Sequence, residues 1–333
     1  MNIAVVGATG MVGEKFIQVL QERNIKADNY YLYASSKSAG KTIKMFNKDH
    51  IVIELSEENI KDKKIDYALF SAGGSISKEY APIFAKYGTI VIDNSSAWRQ
   101  DKNVPLVVPE VNPEDILWNN GIIANPNCST IQAILPLKAI DDKFKIKRIV
   151  YSTYQAVSGA GKKGYDDLKN GINGEAPKKF VHPIFSNVLP HIDDFLDNGY
   201  TKEEEKMIFE TRKILHNQNL KITATTVRVP VFNCHSESIN IETEKSFELQ
   251  EVFKTLADFK NIVVMDDPKN NIYPIASIVN NHDEVYVGRI RRDFSVDNGL
   301  NIWVVADNIR KGAATNAVQI LEKILEYKKE GKM

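Results

Sequence analysis

Several features that mark other classes of protein are scarce in this chain of 333 residues. Its two cysteines, Cys128 and Cys234, are too few for a disulfide scaffold or a four-cysteine metal site, and they fit a reducing compartment. Lysine plus arginine and aspartate plus glutamate each number 43, and this zero net charge argues against nucleic-acid or membrane-surface partners. No apolar run has the length of a membrane span, and the N-terminus lacks a signal-peptide pattern. We therefore expect a cytoplasmic protein.

The start of the chain has the pattern of a dinucleotide-binding turn. Residues 2–6 form an apolar run, the sequence GATGMVG follows, and apolar residues then recur at helical spacing from Val12 to Leu20. A strand, a glycine turn and a helix in this order present backbone amides and a helix N-terminus to a pyrophosphate. The glycine spacing alone is weak evidence, but its place directly after a strand strengthens it. Because the length favours two domains, we expect the first to bind a dinucleotide.

The next segment indicates which dinucleotide is preferred. Residues 30–34 read as a second strand, and Ser35, Ser36, Lys37 and Ser38 follow it. An NAD site usually has an acidic residue here for the ribose 2′-hydroxyl, whereas hydroxyls and a cation suit a 2′-phosphate. The pattern favours NADP, and a solvated polar loop is the alternative.

Two further apolar runs end in small polar residues. Residues 67–70 lead into Ser71 and Gly73, and residues 89–93 lead into a segment that ends at Arg99. Parallel strands that open onto a ligand crevice have this pattern. Arg99 is therefore a candidate anion ligand, and an ordinary surface arginine is the alternative.

The stretch Asn125-Pro126-Asn127-Cys128-Ser129-Thr130 predicts a reactive cysteine. Apolar residues recur at helical spacing after it, so Cys128 should lie at or near a helix N-terminus. The unpaired amides and the dipole at that position favour an anion and hence a thiolate. The alternative is a small buried hydrophobic residue.

The second half is rich in strand patterns, which suggests a mixed or antiparallel sheet. The predicted strands span residues 148–157, 222–231, 236–241, 285–291 and 301–306. Thr201 is expected to cap a helix whose first turn contains the acidic residues 203–205. Glu203 is a candidate functional residue, and the alternative is that the three glutamates only complement the helix dipole. An amphipathic C-terminal segment, residues 309–327, is expected to pack on the first domain.

The segment RVPVFNCHS supplies a candidate base, His235, and a candidate carboxylate clamp, Arg228. In one uniform strand these two side chains would point to opposite faces, so the interpretation requires a bend at Pro230 and Asn233. Cys234 lacks a helix-start pattern and is interpreted as structural. A thiolate, a base and an NADP site together indicate thioester chemistry on an aldehyde, with phosphate cleaving the thioester.

At these residues the chain resembles the aspartate-semialdehyde dehydrogenase family. The resemblance covers nearly the whole length through the motifs GATGMVG, SSKSAGK, NSSAWR, NPNCST, QAVSGAG, EEEKM, RVPVFNCHS and ADN. It implies an α/β fold with an N-terminal Rossmann-like NADP-binding domain, residues 1–127 and 310–333. It also implies an α+β catalytic and dimerisation domain with a mixed sheet, residues 128–309.

The resemblance implies roles for individual residues. Cys128 matches the nucleophile, His235 the acid/base and Gln155 a group that positions the substrate. The substrate and phosphate ligands would be Arg228 for the α-carboxylate, Glu203 for the amino group, and Arg99, Lys206 and Asn127 for phosphate. The implied NADP-binding residues are Gly7, Thr9, Gly10, Met11, Val12, Ser35, Ser36, Lys37, Ser38, Ser71, Gly73, Ser158, Gly159 and Asn308. Lys37 stands where the family often has arginine, so the preference for NADP over NAD can be relaxed.

The predicted reaction is the reversible, NADP-dependent reductive dephosphorylation of L-aspartyl 4-phosphate to L-aspartate 4-semialdehyde, without a metal. This reaction belongs to the biosynthesis of lysine through diaminopimelate, and of methionine and threonine, and the enzyme would be a homodimer or a dimer of dimers. One alternative is N-acetyl-γ-glutamyl-phosphate reductase, but its substrate has no charged amine to bind Glu203. The other is a non-catalytic dinucleotide-binding regulator, which would need neither the thiol nor the base.

Overall fold

The computed structural model describes residues 1–333, which form two compact units. The first contains residues 1–127 and 313–333, and the second contains residues 128–312. The first is built on a parallel sheet and the second on a mixed sheet, so the predicted α/β fold class is confirmed. The functional division at residues 127 and 310 stays a prediction.

The N-terminal part of the first unit alternates strands and helices. Its strands are β1 (Asn2–Val6), β2 (Asn29–Ala34), β3 (Thr42–Met45), β4 (Lys48–Ile51), β5 (Ile53–Glu54), β6 (Tyr67–Phe70), β7 (Ile90–Asp93) and β8 (Ile122–Ala124). Its helices are α1 (Met11–Glu22), α2 (Glu57–Ile60) and α3 (Gly74–Lys86), with a 3₁₀ turn at Pro113–Trp118. Six strands form the parallel sheet in the order β5-β2-β1-β6-β7-β8, while β3 and β4 form a separate hairpin.

The strand order reverses beside β1, which places the glycine turn at a switch point of the sheet. Gly7 has φ +86°, and a Cβ atom there would lie 2.3 Å from the carbonyl oxygen of Ser71. A Cβ atom on Gly13 would lie 2.0 Å from the carbonyl oxygen of Gly7. Both positions therefore require glycine, because the backbones of the turn, α1 and the end of β6 approach too closely for a side chain.

The second unit begins with a helix and contains six strands. Its helices are α4 (Cys128–Phe144), α5 (Gly161–Gly171), α6 (Lys202–Ile214), α7 (Leu249–Ala257) and α8 (Ala276–Val279), with 3₁₀ turns at Val157–Ala160 and Pro268–Asn270. Its strands are β9 (Ile146–Gln155), β10 (Lys221–Arg228), β11 (His235–Thr243), β12 (Ile262–Val264), β13 (Val285–Asp293) and β14 (Gly299–Ala306). They form one sheet in the order β10-β9-β11-β14-β13-β12.

This sheet is mixed, as predicted. β9 pairs in parallel with β10 and antiparallel with β11, and burial alternates along β11 from His235 to Thr243. The strand predicted at residues 222–231 ends at Arg228, because Pro230 lacks the N–H that a continued ladder needs. The bend required between Arg228 and His235 is confirmed, since they belong to different strands, β10 and β11, that flank β9.

The C-terminal segment belongs to the first unit from Ala313 onward, whereas residues 309–312 of the predicted segment belong to the second. After a π-helical turn at Arg310–Thr315, helix α9 spans Asn316–Lys329. Its apolar face, which includes Ala317, Leu321 and Ile324, is buried in the same core cluster as Ile3 and Phe16. None of the helices has both the length and the apolar character needed to cross a membrane.

Candidate active site

Cys128 is the first residue of α4, as the sequence predicted. The residues that follow, from Ser129 to Leu137, are buried, so the start of the helix is fixed by its own packing. Cys128 itself is half-buried. A thiol at this position faces the positive end of the helix dipole, which stabilises a thiolate.

Gly312 packs against Cys128 and was not singled out from the sequence. A Cβ atom on Gly312 would lie 2.9 Å from the Cβ atom of Cys128 and 3.3 Å from its Cα atom. The small residues at 312–314 are a signal of close packing, but they do not reveal the partner. Glycine at 312 thus leaves the space in which the cysteine side chain is held.

His235 is fully buried at the start of β11, and its two ring nitrogens differ. Nδ1 accepts a hydrogen bond from the Ala156 N–H at 2.9 Å, while Nε2 has no hydrogen-bond partner. Burial first, and then the charge of Arg228, lower the pKa of His235 to about 3, although Glu203 opposes this shift. The imidazole is therefore neutral at physiological pH, and with Nδ1 as acceptor its proton lies on Nε2.

Arg228 is a buried cation with unused hydrogen-bond donors. Its Nη1 donates to the carbonyl oxygen of Ala156 at 2.6 Å, and its guanidinium lies 6.0 Å from the centre of the Phe180 ring. Burial lowers the pKa of Arg228, and the charges of Glu203 and Cys128 oppose that shift. Since the rest of the planar fork makes no hydrogen bond, it can bind a carboxylate.

A directional hydrogen-bond chain connects Gln155 to α6. The Thr153 hydroxyl donates to Gln155 Oε1 at 3.0 Å, and Gln155 Nε2 donates to Glu203 Oε1 at 3.0 Å. Lys206 Nζ donates to Glu203 Oε2 at 3.1 Å. The structure thus brings Gln155, Glu203 and Lys206 together, and their roles toward a substrate stay predictions.

The three glutamates of α6 have different environments. Thr201 and Glu204 form a capping box, and Glu204 also accepts a hydrogen bond from the Thr226 N–H. Both of its carboxylate oxygens therefore bind backbone N–H groups. Glu205 bonds Asn198 at the surface. Glu203 is buried beside Gln155 and Lys206, which supports its selection from the triplet. The helix-capping alternative holds for Glu204, and the T-x-x-E spacing could have shown this from sequence.

Two residues predicted to bind NADP meet Cys234 in the second unit. The amide of Asn308 donates to the Ser158 hydroxyl at 3.0 Å, and Asn308 Oδ1 accepts from the Cys234 N–H at 2.9 Å. Burial raises the pKa of Cys234, which disfavours its thiolate and agrees with a structural role. Gly159 lies against Arg228 and His235, since a Cβ atom there would be 2.9 Å from Arg228 Nη1 and 3.1 Å from His235 Cε1.

The first unit contains the remaining predicted residues. Gly10, Met11 and Val12 lie in the turn and first residues of α1, and the Thr9 hydroxyl donates to Ser38 at 3.4 Å. Ser35, Ser36 and Lys37 are exposed after β2, and Ser71 and Gly73 follow β6. These residues all lie at the carboxyl ends of β1, β2 and β6, where a dinucleotide binds in such a sheet.

Arg99 and Asn127 are buried rather than on the surface, so the surface-arginine alternative is wrong. Arg99 Nε donates to the carbonyl oxygen of Asn125, and its Nη2 donates to that of Asn94, both at 2.9 Å. Arg99 thus connects the segments that follow β7 and β8.

Comparison with known proteins identifies relatives along the whole chain. The models "Semialdehyde dehydrogenase, NAD binding domain" and "Semialdehyde dehydrogenase, dimerisation domain" match residues 2–118 and 137–311. The aspartate-semialdehyde dehydrogenase of Aquifex aeolicus is 57% identical over 98% of both chains. The crystal structure of aspartate semialdehyde dehydrogenase II from Vibrio cholerae, complexed with ASA, has a TM-score of 0.92 at 45% identity over 98% of both chains. The Candida albicans enzyme with NADP has a TM-score of 0.75 at 26% identity, covering 100% of this chain and 99% of that one.

Proposed function

The chain belongs to the aspartate-semialdehyde dehydrogenase family, and we propose that it reduces L-aspartyl 4-phosphate reversibly to L-aspartate 4-semialdehyde through a thioester on Cys128. The observation that carries this proposal is the charge pattern beside Cys128. Arg228 is a buried arginine with unused donors, and the negative charges of Glu203 and Cys128 both oppose the lowering of its pKa by burial. Such a pair of opposite charges matches an α-amino acid whose side chain reaches the thiol.

The first unit fits NADP as the cofactor. The Gly7 turn allows the close backbone approach that a pyrophosphate needs, and the hydroxyls and Lys37 after β2 suit a 2′-phosphate. NADP, when bound, supplies the hydride acceptor or donor for the thioester step. The Candida albicans structure, which contains NADP, supports this choice.

Cys128 carries the covalent steps. Its thiolate attacks the acyl carbon of L-aspartyl 4-phosphate, a C–S bond forms, and the bond from that carbon to the phosphate oxygen breaks. After reduction of the thioester carbon, the C–S bond breaks and releases L-aspartate 4-semialdehyde and the thiolate. In the oxidative direction phosphate cleaves the thioester, and the proton that is released comes from phosphate.

His235 faces the reacting oxygen through Nε2 in our proposal. In the tautomer that the Ala156 hydrogen bond selects, Nε2–H donates a hydrogen bond to the oxygen as it becomes negative. The acid/base role predicted from sequence requires Nε2 to accept a proton, for which Nδ1–H would have to point at the Ala156 N–H. The geometry therefore favours oxyanion stabilisation over proton acceptance by His235.

The substrate charges are matched by Arg228 for the α-carboxylate and Glu203 for the ammonium group. We assign phosphate to Arg99, Lys206 and Asn127. The carboxylate of Glu203 gives no advantage to an acylated amine, which argues against the N-acetyl-γ-glutamyl-phosphate reductase alternative. A non-catalytic regulator that only binds a dinucleotide would need none of Cys128, Arg228 and His235, which argues against that alternative. The match to a dimerisation-domain model supports a homodimer, and sedimentation analysis distinguishes a dimer from a dimer of dimers.

The test is NADPH formation from L-aspartate 4-semialdehyde with and without phosphate, in parallel with N-acetyl-L-glutamate 5-semialdehyde. Phosphate-dependent turnover of the first substrate alone supports the proposal, and turnover of the second alone refutes it. Cys128→Ala should abolish turnover and leave NADPH binding intact. His235→Ala should lower kcat by about 10²- to 10³-fold, the effect expected when one hydrogen-bond donor to the oxyanion is lost.

A further inference from the structure

Lys206 is neutralised by two carboxylates in this structure. Its Nζ lies 2.7 Å from Oδ2 of Asp193 and 3.1 Å from Oε2 of Glu203. Lys206 is 21% exposed, and the side chains of Asp193 and Glu203 are 36% and 7% exposed. Glu203 is thus a fixed, buried partner, whereas Asp193 reaches the ammonium from the solvent side.

Asp193 lies outside the helices and strands, in the segment that precedes α6. It has φ +67°, in the left-handed region that Asp and Asn tolerate better than most other residues. Its Oδ1 accepts from the N–H of Asp194 at 3.0 Å, which is a local contact. Beyond these contacts only Lys206 binds its carboxylate, so little holds the side chain against exchange.

The charge balance conflicts with phosphate binding at Lys206. Lys206, Asp193 and Glu203 together carry a net charge of −1, and the substrate ammonium that Glu203 binds in the proposed function brings this sum only to zero, so the group does not attract a phosphate dianion while Asp193 is in place. An ammonium group has three donors, and two of them are used here. A phosphate oxygen is a stronger competitor for Nζ than a half-exposed carboxylate, whereas buried Glu203 cannot leave without losing Gln155 as well.

We propose that Asp193 is a displaceable counter-ion of Lys206, which occupies the ammonium group in the phosphate-free enzyme and is exchanged for phosphate on binding. Asp193 thereby sets the apparent affinity for phosphate. This inference rests on the proposed function, in which Lys206 binds phosphate. Nothing in the sequence pattern indicated Asp193, because its partner is on a different element.

The neighbouring residue provides a matched control. Asp194 Oδ2 lies 2.6 Å from Nζ of Lys202, the first residue of α6, in an exposed pair that involves none of the proposed substrate ligands. Asp193→Asn and Asp194→Asn each remove one charge, and each leaves the side chain nearly unchanged in size. Asparagine also accepts the left-handed backbone at 193, so the first variant should fold normally.

The experiment measures KM for phosphate and kcat in the oxidative reaction of wild type and both variants, with sodium chloride holding the ionic strength constant. Asp193→Asn should lower KM for phosphate about two- to fivefold, the range expected when an exposed ion pair no longer competes. Its kcat should stay near that of the wild type, and Asp194→Asn should leave both values unchanged.

Two results would overturn the inference. A higher KM for phosphate in Asp193→Asn would mean that Asp193 positions Lys206 for phosphate rather than competing with it. A KM equal to that of Asp194→Asn would mean that the ion pair is irrelevant to phosphate. If the proposed function itself is wrong, the wild type will show no dependence on phosphate, so this failure is distinguishable from failure of the inference about Asp193.

Discussion

Replacing Gly312 by alanine should displace the nucleophile while leaving its chemistry intact. The added methyl group would lie 2.9 Å from Cβ of Cys128 and 3.3 Å from its Cα. Neither atom is the end of a flexible side chain, since both are fixed at the start of the buried helix α4. The methyl group therefore cannot be accommodated by a change of side-chain rotamer at Cys128.

The structure sets the size of the displacement. Carbon atoms in contact normally lie about 3.5–4.0 Å apart, so relief of the 2.9 Å contact requires a shift of roughly 0.6–1.1 Å. A misplacement of about 1 Å in a reacting group can lower the rate roughly 10²-fold. We expect kcat/KM for L-aspartate 4-semialdehyde to fall about 10²-fold, or about 2.7 kcal/mol in the activation free energy.

The assay is phosphate-dependent NADPH formation, accompanied by the rate of Cys128 alkylation by iodoacetamide and the midpoint of thermal unfolding. Gly171→Ala is the control, since it adds a methyl group in the same unit that meets only the Phe185 side chain, at 3.3 Å. A Gly312→Ala enzyme that unfolds normally and keeps kcat/KM within about threefold of the wild type would refute the reasoning.

Two other predictions concern the buried face of the second unit. Gly159→Ala should raise KM for the semialdehyde about tenfold or more, because its methyl group would press on Arg228 Nη1 and charge-assisted hydrogen bonds are worth roughly 1.5–3 kcal/mol; an unchanged KM would remove Arg228 from the substrate site. Glu237 is fully buried, neither of its oxygens has a partner, and burial raises the pKa of its carboxyl well above the ordinary value of 4.5. The folded state then holds this proton more tightly than the unfolded state, so stability falls as pH rises above 4.5, by up to about 1.4 kcal/mol per pH unit. Glu237→Gln should flatten that dependence and raise the unfolding midpoint at alkaline pH, and thermal melts that show the same pH dependence as the wild type would contradict this.

The parts of the fold that depend on neighbouring residues were predictable from sequence. The glycine turn after β1 and the start of α4 at Cys128 both follow from periodicity and from residues that suit turns. The bend between Arg228 and His235 was predictable because Pro230 interrupts a strand. In each case the signal and its effect lie within a few residues of each other.

Contacts between distant segments were not predictable. The approach of Gly312 to Cys128 and the ion pair of Asp193 with Lys206 join elements whose proximity only the folded chain defines. The lack of a hydrogen-bond partner for Glu237 was also not predictable. The two-residue spacing along β11 predicts that Glu237 and His235 point to the same face of the sheet, but it does not show which groups pack against the Glu237 carboxyl. A sequence pattern predicts which face of a strand or helix a side chain occupies, whereas the residues that it contacts depend on how the elements pack together.

The orientation of the Gln155 amide extends the proposal that His235 acts as a hydrogen-bond donor, because Gln155 can be a second donor. Because Gln155 Oε1 accepts from Thr153 and Nε2 donates to Glu203, the amide orientation is fixed, and the second Nε2 hydrogen is left for another acceptor. Gln155 ends β9 and His235 begins β11, and these two strands are paired. In this arrangement His235 has an N–H donor at Nε2, and Gln155 has a second hydrogen on Nε2. We propose that these two donors stabilise a negatively charged oxygen during thiolate addition and hydride transfer.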